Sequence, residues 1–236
     1  MKAIPERVQT PDDRVERSLC DEGVQLVAGL DEVGRGAWAG PVSVGVVVFP
    51  ADLVPPDGLR DSKMLTEDRR EELYPLITQW CSAWSVGHAG PVECDSLGMT
   101  AALRLAARRA LDSLNCQPRV VLMDGAFDYV TEPCDPDAPD AEVSKTTPSP
   151  QTRAPSPQIR TIVRGDASCV SIAAASIVAK VTRDRMMRAM SASFPPFDFH
   201  RNKGYPSPVH RTALAGFGLT SIHRRSWSFV DELAFR

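Results

Sequence analysis

The sequence predicts an α/β fold with a mixed central sheet flanked by helices. Short apolar runs alternate along most of the chain with longer segments of helical spacing, as in strands joined by helices. The run PVSVGVVVF at residues 41–49 is apolar at nearly every position, which is typical of a strand buried on both faces. A chain of 236 residues is long enough to bury one substantial core with an appendage.

Each predicted element rests on its local pattern. Strands are predicted where short apolar runs are bounded by turn residues, at residues 24–31, 41–49, 80–89, 119–124 and 159–163. Helices are predicted where apolar residues recur at helical spacing, at residues 66–77, 95–114 and 168–190. The first of these helices starts at Thr66, a favourable N-cap, and has acidic residues in its first turn.

The chain divides into an arm and a single domain. Residues 1–24 are polar and are predicted to form a flexible N-terminal arm, followed by one domain over residues 25–236. Within that domain, residues 131–158 hold seven of the 20 prolines among Ser, Thr and acidic residues, so they are predicted to be a disordered insertion. The region from about residue 194 to 236 is predicted to be helical and basic.

The basic character of this last region comes from charge distribution, since the net charge of the chain is −3. Between Phe199 and Val230 there is no Asp or Glu. Five cationic side chains there are predicted to form a surface for a polyanion: Arg201, Lys203, Arg211, Arg224 and Arg225. A solvated basic face with no partner is an equally common use of such a run.

Cysteine usage and hydropathy predict a cytoplasmic protein that does not associate with membranes. The six cysteines include no Cys-x-x-Cys pair, which argues against a zinc site and a disulfide framework. The first residues lack the apolar core of a secretory signal. The longest apolar stretch, CVSIAAASIVA, is too short to span a bilayer.

Four acidic residues lie where predicted strands end or have just ended: Asp31, Glu32, Asp124 and Asp166. Functional sites of open α/β sheets gather at strand ends, and four carboxylates brought together there need a compensating cation. Oxygen ligands select Mg²⁺ or Mn²⁺, and two such ions activate a water and stabilise the leaving oxygen of a phosphodiester. Each acid taken singly has a simpler explanation, as a turn residue or a helix cap.

The turn after the first two acids, Gly34-Arg35-Gly36, has features of an anion-binding loop. Glycines let the backbone approach a ligand closely, and the guanidinium of Arg35 offers a forked donor to phosphate. The spacing to Gly40 is one residue too long for a dinucleotide-binding fingerprint, and predicted strands flank the turn on both sides. A hairpin turn with a solvent-facing arginine is the alternative.

Several segments together resemble bacterial ribonuclease HII, the type 2 ribonuclease H: LDEVGRGAWAGPV, LRDSKMLTEDRREELYPLI, VVLMDG, VRGDASCVSIAAASIVAKVTRD, and NKGYPSPVHRTALAGFG with SIHRRSW. The resemblance runs from about residue 26 to 230 and misses only the N-terminal arm and the insertion. It implies an RNase H-like fold and a metal-dependent endonuclease that cuts the RNA strand of RNA–DNA hybrids. It also implies nicking of duplex DNA on the 5′ side of an embedded ribonucleotide, which leaves 5′-phosphate and 3′-hydroxyl ends.

The resemblance implies roles for individual residues. The four strand-end acids match the family's catalytic, metal-binding carboxylates. Substrate contacts are implied for the loop that senses the 2′-hydroxyl, for two phosphate-binding residues and for a tyrosine that stacks on the sugar after the ribonucleotide: Gly34, Arg35, Gly36, Ser62, Lys63 and Tyr205. From the residues alone, Tyr205 is equally a turn aromatic that covers the core. Asp184 lies four residues after Lys180 and is interpreted as part of a helical ion pair rather than as a further ligand.

This sequence departs from the family pattern at three places. The insertion stretches the separation of Asp124 and Asp166 to 42 residues and adds acidic side chains, so we expect it to affect substrate affinity more than chemistry. Arg164 stands where the family has lysine, and Pro206 stands where the family has glycine. Arg164 keeps the positive charge, and Pro206 is expected to stiffen the turn at Tyr205, while the insertion leaves both flanking motifs intact.

Three alternatives stay open at this point. A DNA nuclease or junction resolvase on the same fold would use the carboxylates without a 2′-hydroxyl sensor. A non-catalytic nucleic-acid-binding module would bind in EDTA and cut nothing. The C-terminal segment could dock a partner through Phe229, Leu233 and Phe235, although packing on the protein's own sheet is the expected use of those side chains. A monomer is expected.

Overall fold

The computed structural model describes residues 10–131 and 156–231. Its centre is a five-stranded mixed sheet in the order β3-β2-β1-β4-β5, formed by β1 (Val27–Val33), β2 (Val42–Val48), β3 (Ala83–Ala89), β4 (Val120–Asp124) and β5 (Gln158–Ile162). β2 is antiparallel to both of its neighbours, whereas β4 is parallel to both of its own. The predicted α/β fold with a mixed sheet is confirmed.

The described residues also form eight α-helices: α1 (Arg14–Asp21), α2 (Glu67–Trp80), α3 (Pro91–Leu97), α4 (Met99–Asp112), α5 (Gly165–Ser168), α6 (Val170–Ser191), α7 (Phe199–Asn202) and α8 (Pro208–Phe217). The Thr66 hydroxyl caps α2 by accepting the N–H of Arg69 at 3.2 Å, as predicted. The single helix predicted over residues 95–114 is wrong, because Gly98 has a φ of 77° and separates α3 from α4. No helix in these ranges is long and apolar enough to cross a membrane.

Helices cover both faces of the sheet. α4 packs on β2 and β3 on one face, and α6 packs on β1 and β2 on the other, with α2 against α6. α6 comes so close that a Cβ on Gly29 of β1 would collide with the backbone of Ser171. Glycine in β1 is therefore required by this close approach, which brings α6 beside the acids at the end of the strand.

Residues 10–24 correct part of the predicted N-terminal arm, because they are packed rather than free. Leu19 of α1 is buried in the cluster beneath β1 and β4. The Glu16 carboxylate accepts hydrogen bonds from the N–H and the Oγ of Ser171, at 2.9 and 2.6 Å, and so holds the first turn of α6. Residues 1–9 of the arm, and residues 132–155 of the predicted insertion, lie outside the described residues.

The described C-terminal region contains α7 and α8 joined by loops, and two buried histidines lie at its centre. The Nε2 atoms of His210 and His223 are 2.9 Å apart. The N–H of Thr220 donates to Nδ1 of His223 at 2.9 Å, so neutral His223 carries its proton on Nε2 and donates it to His210. His210 in turn donates from Nδ1 to the carbonyl of Tyr205 at 2.9 Å. This chain of hydrogen bonds fixes the backbone of Tyr205.

The histidine pair predicts a loss of stability in acid. Burial above all, and then the neighbouring His210 and Arg225, lowers the pKa of His223 from 6.5 to about 3. Below pH 6.5 the unfolded chain binds a proton that the folded protein does not, so stability falls as the pH falls. The contribution of His223 to this fall is about 2 kcal/mol between pH 7 and pH 5. The free energy of unfolding, measured with urea at pH 7 and at pH 5, should change less in His223→Gln than in the wild type. An equal change in both proteins would contradict the prediction.

Candidate active site

Asp31 and Asp124 lie side by side on neighbouring parallel strands, Asp124 at the end of β4 and Asp31 two residues before the end of β1. The register pairs Leu30 of β1 with Met123 of β4, so the aspartate that follows each of them occupies the same level and the same face of the sheet. α6 covers this face, and its Ser176 hydroxyl lies close enough to Asp31 to lower the pKa of that carboxyl, which is only 4% exposed. The structure thus brings together Asp31 and Asp124, two of the four predicted carboxylates.

Glu32 follows Asp31 in β1 and leaves the sheet by the opposite face. Its Oε2 accepts a hydrogen bond from the buried phenol of Tyr129 at 3.0 Å, and its Oε1 lies 3.8 Å from Nη1 of Arg35. The N–H of Glu32 donates to Oδ1 of Asp31 at 2.8 Å. The sequence analysis missed Tyr129, because it lies in the loop after β4 and no motif marks it.

Asp166 lies on α5, the short helix between β5 and α6. Oδ1 of Asp124 accepts the N–H of Gly165 at 2.8 Å, which ties the end of β4 to this helix. Nζ of Lys63 lies 3.7 Å from Oδ2 of Asp166. The fourth predicted carboxylate therefore lies next to Asp124, on the side that Lys63 approaches.

Burial and scarce positive charge raise the pKa of three of these carboxyls. Burial, followed by the charge of Glu32, raises the pKa of Asp31 well above its usual value, and Asp124 adds to this. Burial is also the main cause of the raised pKa of Glu32 and of Asp166, again with a contribution from Asp124. The two cations close to these carboxylates, Lys63 and Arg35, are 74% and 67% exposed, so solvent screens them. Such a site attracts further positive charge.

The carboxylates fit a divalent cation in chemistry but are not gathered around one point. No three Asp, Glu, His or Cys side chains in the two described ranges lie close enough to form a metal site by themselves. The opposite directions of Asp31 and Glu32 contribute to this spread. Carboxylate oxygens are nevertheless the ligands that Mg²⁺ and Mn²⁺ prefer, and their mutual repulsion here favours such an ion.

Ser62 and Lys63, both implied phosphate contacts, lie in the 3₁₀ turn Ser62–Met64 but differ in exposure. Lys63 is exposed, as a phosphate contact requires. Ser62 is buried, and its hydroxyl lies 2.7 Å from that of Ser176, the residue of α6 that neighbours Asp31. The side chain of Ser62 therefore faces Ser176 rather than solvent, and its implied phosphate contact stays a prediction. Its buried partner on α6 had no signal in the sequence.

The Gly34-Arg35-Gly36 turn follows directly from β1. Gly34 has a φ of 87°, and a Cβ there would collide with the side chain of Arg183, so the fold itself requires this glycine. Gly36 has no positive φ, and no atom lies within 4 Å of the place where its Cβ would be. Within the described residues, the N–H groups of Arg35 and Gly36 donate no hydrogen bond. The turn thus offers two free donors beside Glu32.

Tyr205 packs against this turn. Its phenol oxygen accepts the N–H of Gly34 at 3.1 Å. The guanidinium carbon of Arg183 lies 5.4 Å from the ring centroid, and Nζ of Lys180 lies 5.8 Å from it. Tyr205 is half-buried, so part of its surface stays open beside the turn. The stacking role that the resemblance implies for Tyr205 stays a prediction.

The basic C-terminal surface is smaller than predicted. Arg224 is fully buried and Lys203 nearly so, which leaves three of the five predicted cations exposed: Arg201, Arg211 and Arg225. A polyanion can meet these three side chains, but the two buried cations act inside the protein.

Two structural interpretations are confirmed by contacts. Nζ of Lys180 lies 2.7 Å from Oδ1 of Asp184, so Asp184 belongs to an ion pair within α6. Phe229 is buried, with its ring stacked on that of Trp38 at a centroid distance of 4.3 Å. Packing within the protein is therefore the use of Phe229, whereas Leu233 and Phe235 lie outside the described residues.

A mixed sheet in this strand order is that of the ribonuclease H-like fold, and carboxylates on its two adjacent parallel strands are the groups that a metal-dependent nuclease of this fold would use. Comparison with known sequences narrows the class to a family. A family model described as Ribonuclease HII matches residues 28–230. The chain is 47% identical to a ribonuclease HII of Streptomyces griseus, over 95% of this chain and 87% of that protein. It is 41% identical to one of Paracoccus denitrificans, over 94% of each chain. The chain belongs to the ribonuclease HII family.

Solved structures agree with this fold. The ribonuclease H2 of Pyrococcus horikoshii superposes with a TM-score of 0.66 at 25% identity, over 88% of this chain and 96% of that one. A Bst-RNase HIII in complex with Mn²⁺ superposes with a TM-score of 0.62 at 17% identity, over 88% of this chain and 68% of that one. The second likeness concerns the fold alone.

Proposed function

We propose that this protein hydrolyses the RNA strand of RNA–DNA hybrids and also nicks duplex DNA 5′ of an embedded ribonucleotide, leaving 5′-phosphate and 3′-hydroxyl ends. Membership of the ribonuclease HII family makes it a metal-dependent endonuclease of the ribonuclease H type. The observation that carries the finer specificity is the turn after β1, where two N–H groups without an acceptor lie beside the carboxylates. A sugar hydroxyl and its phosphate can accept from such donors.

Asp31, Glu32, Asp124 and Asp166 are the proposed catalytic and metal-binding residues. When bound there, two Mg²⁺ or Mn²⁺ ions would lower the pKa of a water and offset charge on the phosphodiester. The raised pKa values of Asp31, Glu32 and Asp166 support this assignment, because a bound cation would offset the cost of burying their charges and the repulsion between them.

Substrate contacts are proposed for residues that border the carboxylates. The Gly34-Arg35-Gly36 turn as a whole would read the 2′-hydroxyl and the adjacent phosphate, with its free N–H groups, the exposed guanidinium of Arg35 and the ammonium of Lys63 as donors. Tyr205 would stack on the sugar that follows the ribonucleotide. Since these groups contact sugar and phosphate rather than base edges, we expect little base preference.

The test uses a labelled DNA duplex with one ribonucleotide, the matching all-DNA duplex and an RNA–DNA hybrid, each with Mg²⁺, Mn²⁺ or EDTA. We expect metal-dependent cutting of the hybrid and a nick 5′ of the single ribonucleotide, with the all-DNA duplex intact. Equal cutting of both duplexes would instead indicate a general DNA nuclease. Binding without cutting would indicate a nucleic-acid-binding module, and cutting of the hybrid alone would remove the single-ribonucleotide part of the proposal.

Location and assembly are proposed from the sequence and stay predictions. The five described cysteines are free thiols, which suits a reducing cytoplasm. A monomeric state can be checked by light scattering.

A further inference from the structure

Two fully buried arginines lie under the Gly34-Arg35-Gly36 turn, and neither forms an ion pair within the described residues. Arg183 is on α6, and Arg224 follows α8 near the end of the described chain. Every side-chain nitrogen of both arginines donates to a backbone carbonyl instead. Buried arginines are uncommon without a carboxylate partner, so the arrangement calls for a physical explanation.

The accepting carbonyls belong almost entirely to one segment, residues 34–41. Arg183 donates to Ala39, Pro41 and the nearby Lys203 at 2.8 to 3.1 Å. Arg224 donates from Nη2 to the carbonyl of Gly34 at 2.7 Å and from Nη1 to that of Arg35 at 2.9 Å. It also donates to Gly40 at 3.2 to 3.3 Å. Two buried cations therefore hold the carbonyl side of this whole segment toward the interior.

The two shortest contacts of Arg224 fix the direction of two N–H groups. In a trans peptide the C=O and the following N–H point in opposite directions. The carbonyl of Gly34 shares its peptide with the N–H of Arg35, and the carbonyl of Arg35 shares its peptide with the N–H of Gly36. Since Arg224 binds both carbonyls from the interior, both N–H groups point away from it. These are the two donors that have no acceptor in the described residues.

The charge of Arg224 acts in the same direction as this geometry. Burial lowers the pKa of Arg224 to about 10, so the side chain is still cationic at neutral pH. A cation under a pair of outward N–H groups makes the turn attractive to an oxyanion. The open space where a Cβ of Gly36 would be leaves room for that anion to approach the backbone.

We propose that Arg224 is a positioning residue that turns the N–H groups of Arg35 and Gly36 toward one phosphate of the substrate backbone. Arg183 holds the other half of the segment and the ring of Tyr205, and so keeps the turn in place. The inference rests on the proposed function, because it assigns the anion to the nucleic-acid substrate. It goes beyond that function by assigning the anion site to a side chain that never touches the substrate.

The test neutralises substrate phosphates one at a time. The substrates are a set of DNA duplexes, each with a single ribonucleotide and a single methylphosphonate. The methylphosphonate occupies a different position flanking the ribonucleotide in each duplex, and the scissile phosphate is never replaced. For the wild type, we expect one position to raise KM about tenfold or more, the loss typical of a charge-assisted hydrogen bond. For Arg224→Met, KM should be high with the native duplex, and neutralisation at that position should change it less than about twofold.

The matched control is Arg185→Met, which removes an arginine of α6 that pairs with Glu71 away from the turn. It should keep the full methylphosphonate effect at the sensitive position. Three outcomes would overturn the proposal: no sensitive phosphate in the wild type, the wild-type effect retained in Arg224→Met, or an equal loss at every position in that variant. A wild type that does not cut the native duplex at all would instead refute the proposed function.

A second measurement does not depend on the folding of Arg224→Met. In metal-free wild type, the backbone amide resonances of Arg35 and Gly36 are followed by NMR during titration with the native duplex. Both amide protons should shift downfield, and the shift should disappear with the duplex neutralised at the sensitive phosphate. Unchanged resonances, or equal shifts with both duplexes, would overturn the proposal.

Discussion

Asp31→Asn should lower the rate of cleavage by about three orders of magnitude, or about 4 kcal/mol of activation free energy, and should raise the melting temperature of the metal-free protein. The rate falls because a neutral amide is a poor ligand for a hard divalent ion. Stability rises because Asp31 is a buried carboxylate whose pKa is raised by burial and by the charge of Glu32. At neutral pH the unfolded chain ionises this carboxyl more readily than the folded protein does, which destabilises the folded state, and the substitution removes that cost.

Metal and pH test the same argument. Mg²⁺ or Mn²⁺ should raise the melting temperature of the wild type and should have a much smaller effect on Asp31→Asn. In EDTA, the folded wild type takes up a proton at a pH where the unfolded chain does not. The wild type therefore gains stability as the pH falls through the raised pKa of Asp31, and the variant lacks this gain. Calorimetry in EDTA and in metal measures both effects.

Asp184→Asn is the matched control for stability. Asp184 is as buried as Asp31, at 3% against 4% exposed, but it is paired with Lys180 at 2.7 Å. Its removal leaves a largely buried ammonium without that partner and should lower the melting temperature. If Asp31→Asn lowered the metal-free melting temperature as Asp184→Asn does, Asp31 would be a structural carboxylate.

The central sheet, and the placement of Asp31 and Asp124 at one edge of it, could be predicted from the sequence because both depend on local patterns. A valine-rich run predicts a buried strand, and two strands that each end in an aspartate place both acids at one edge if they run parallel. The register of β1 and β4 then brings Asp31 and Asp124 together. What local pattern could not supply was the partner of each group: the phenol of Tyr129 at Glu32 and the hydroxyl of Ser176 at Asp31.

The prediction that all five C-terminal cations are exposed was wrong for Arg224 and Lys203, which are buried. The absence of acidic residues between Phe199 and Val230 predicted exposed cations, since arginine is rarely buried without a partner. Arg224 is buried because backbone carbonyls of a turn almost 190 residues earlier in the chain satisfy its donors. Such a pairing depends on how α8 and the following loop return to β1. It cannot be read from either segment alone.

The two glycines of the turn correctly indicated a special backbone segment. They are there for two different reasons, which only the structure distinguishes. Gly34 is required by its positive φ and by the side chain of Arg183. Gly36 is required by neither its φ nor any neighbour. A sequence shows the same letter at both positions, so it cannot distinguish a glycine needed by the fold from one needed by a ligand.

This difference gives the second large prediction. Gly36→Ala should fold with the stability of the wild type and should cut the single-ribonucleotide duplex about a hundredfold more slowly, or about 3 kcal/mol. The added methyl occupies the open space through which a phosphate would approach the N–H groups of Arg35 and Gly36. Single-turnover cleavage and thermal unfolding measure the two effects.

Two further glycine variants make the comparison decisive. Gly34→Ala should lose stability as well as activity, because its φ of 87° is strained for alanine and the new Cβ would meet Arg183. Gly216→Ala adds a methyl in equally open space, in α8, and should keep full activity with a small gain in stability from helix propensity. If Gly36→Ala behaved like Gly216→Ala, the substrate would not approach the turn at Gly36. If it behaved like Gly34→Ala, the loss of activity would follow from the fold, and the free N–H groups would lose their role as substrate donors.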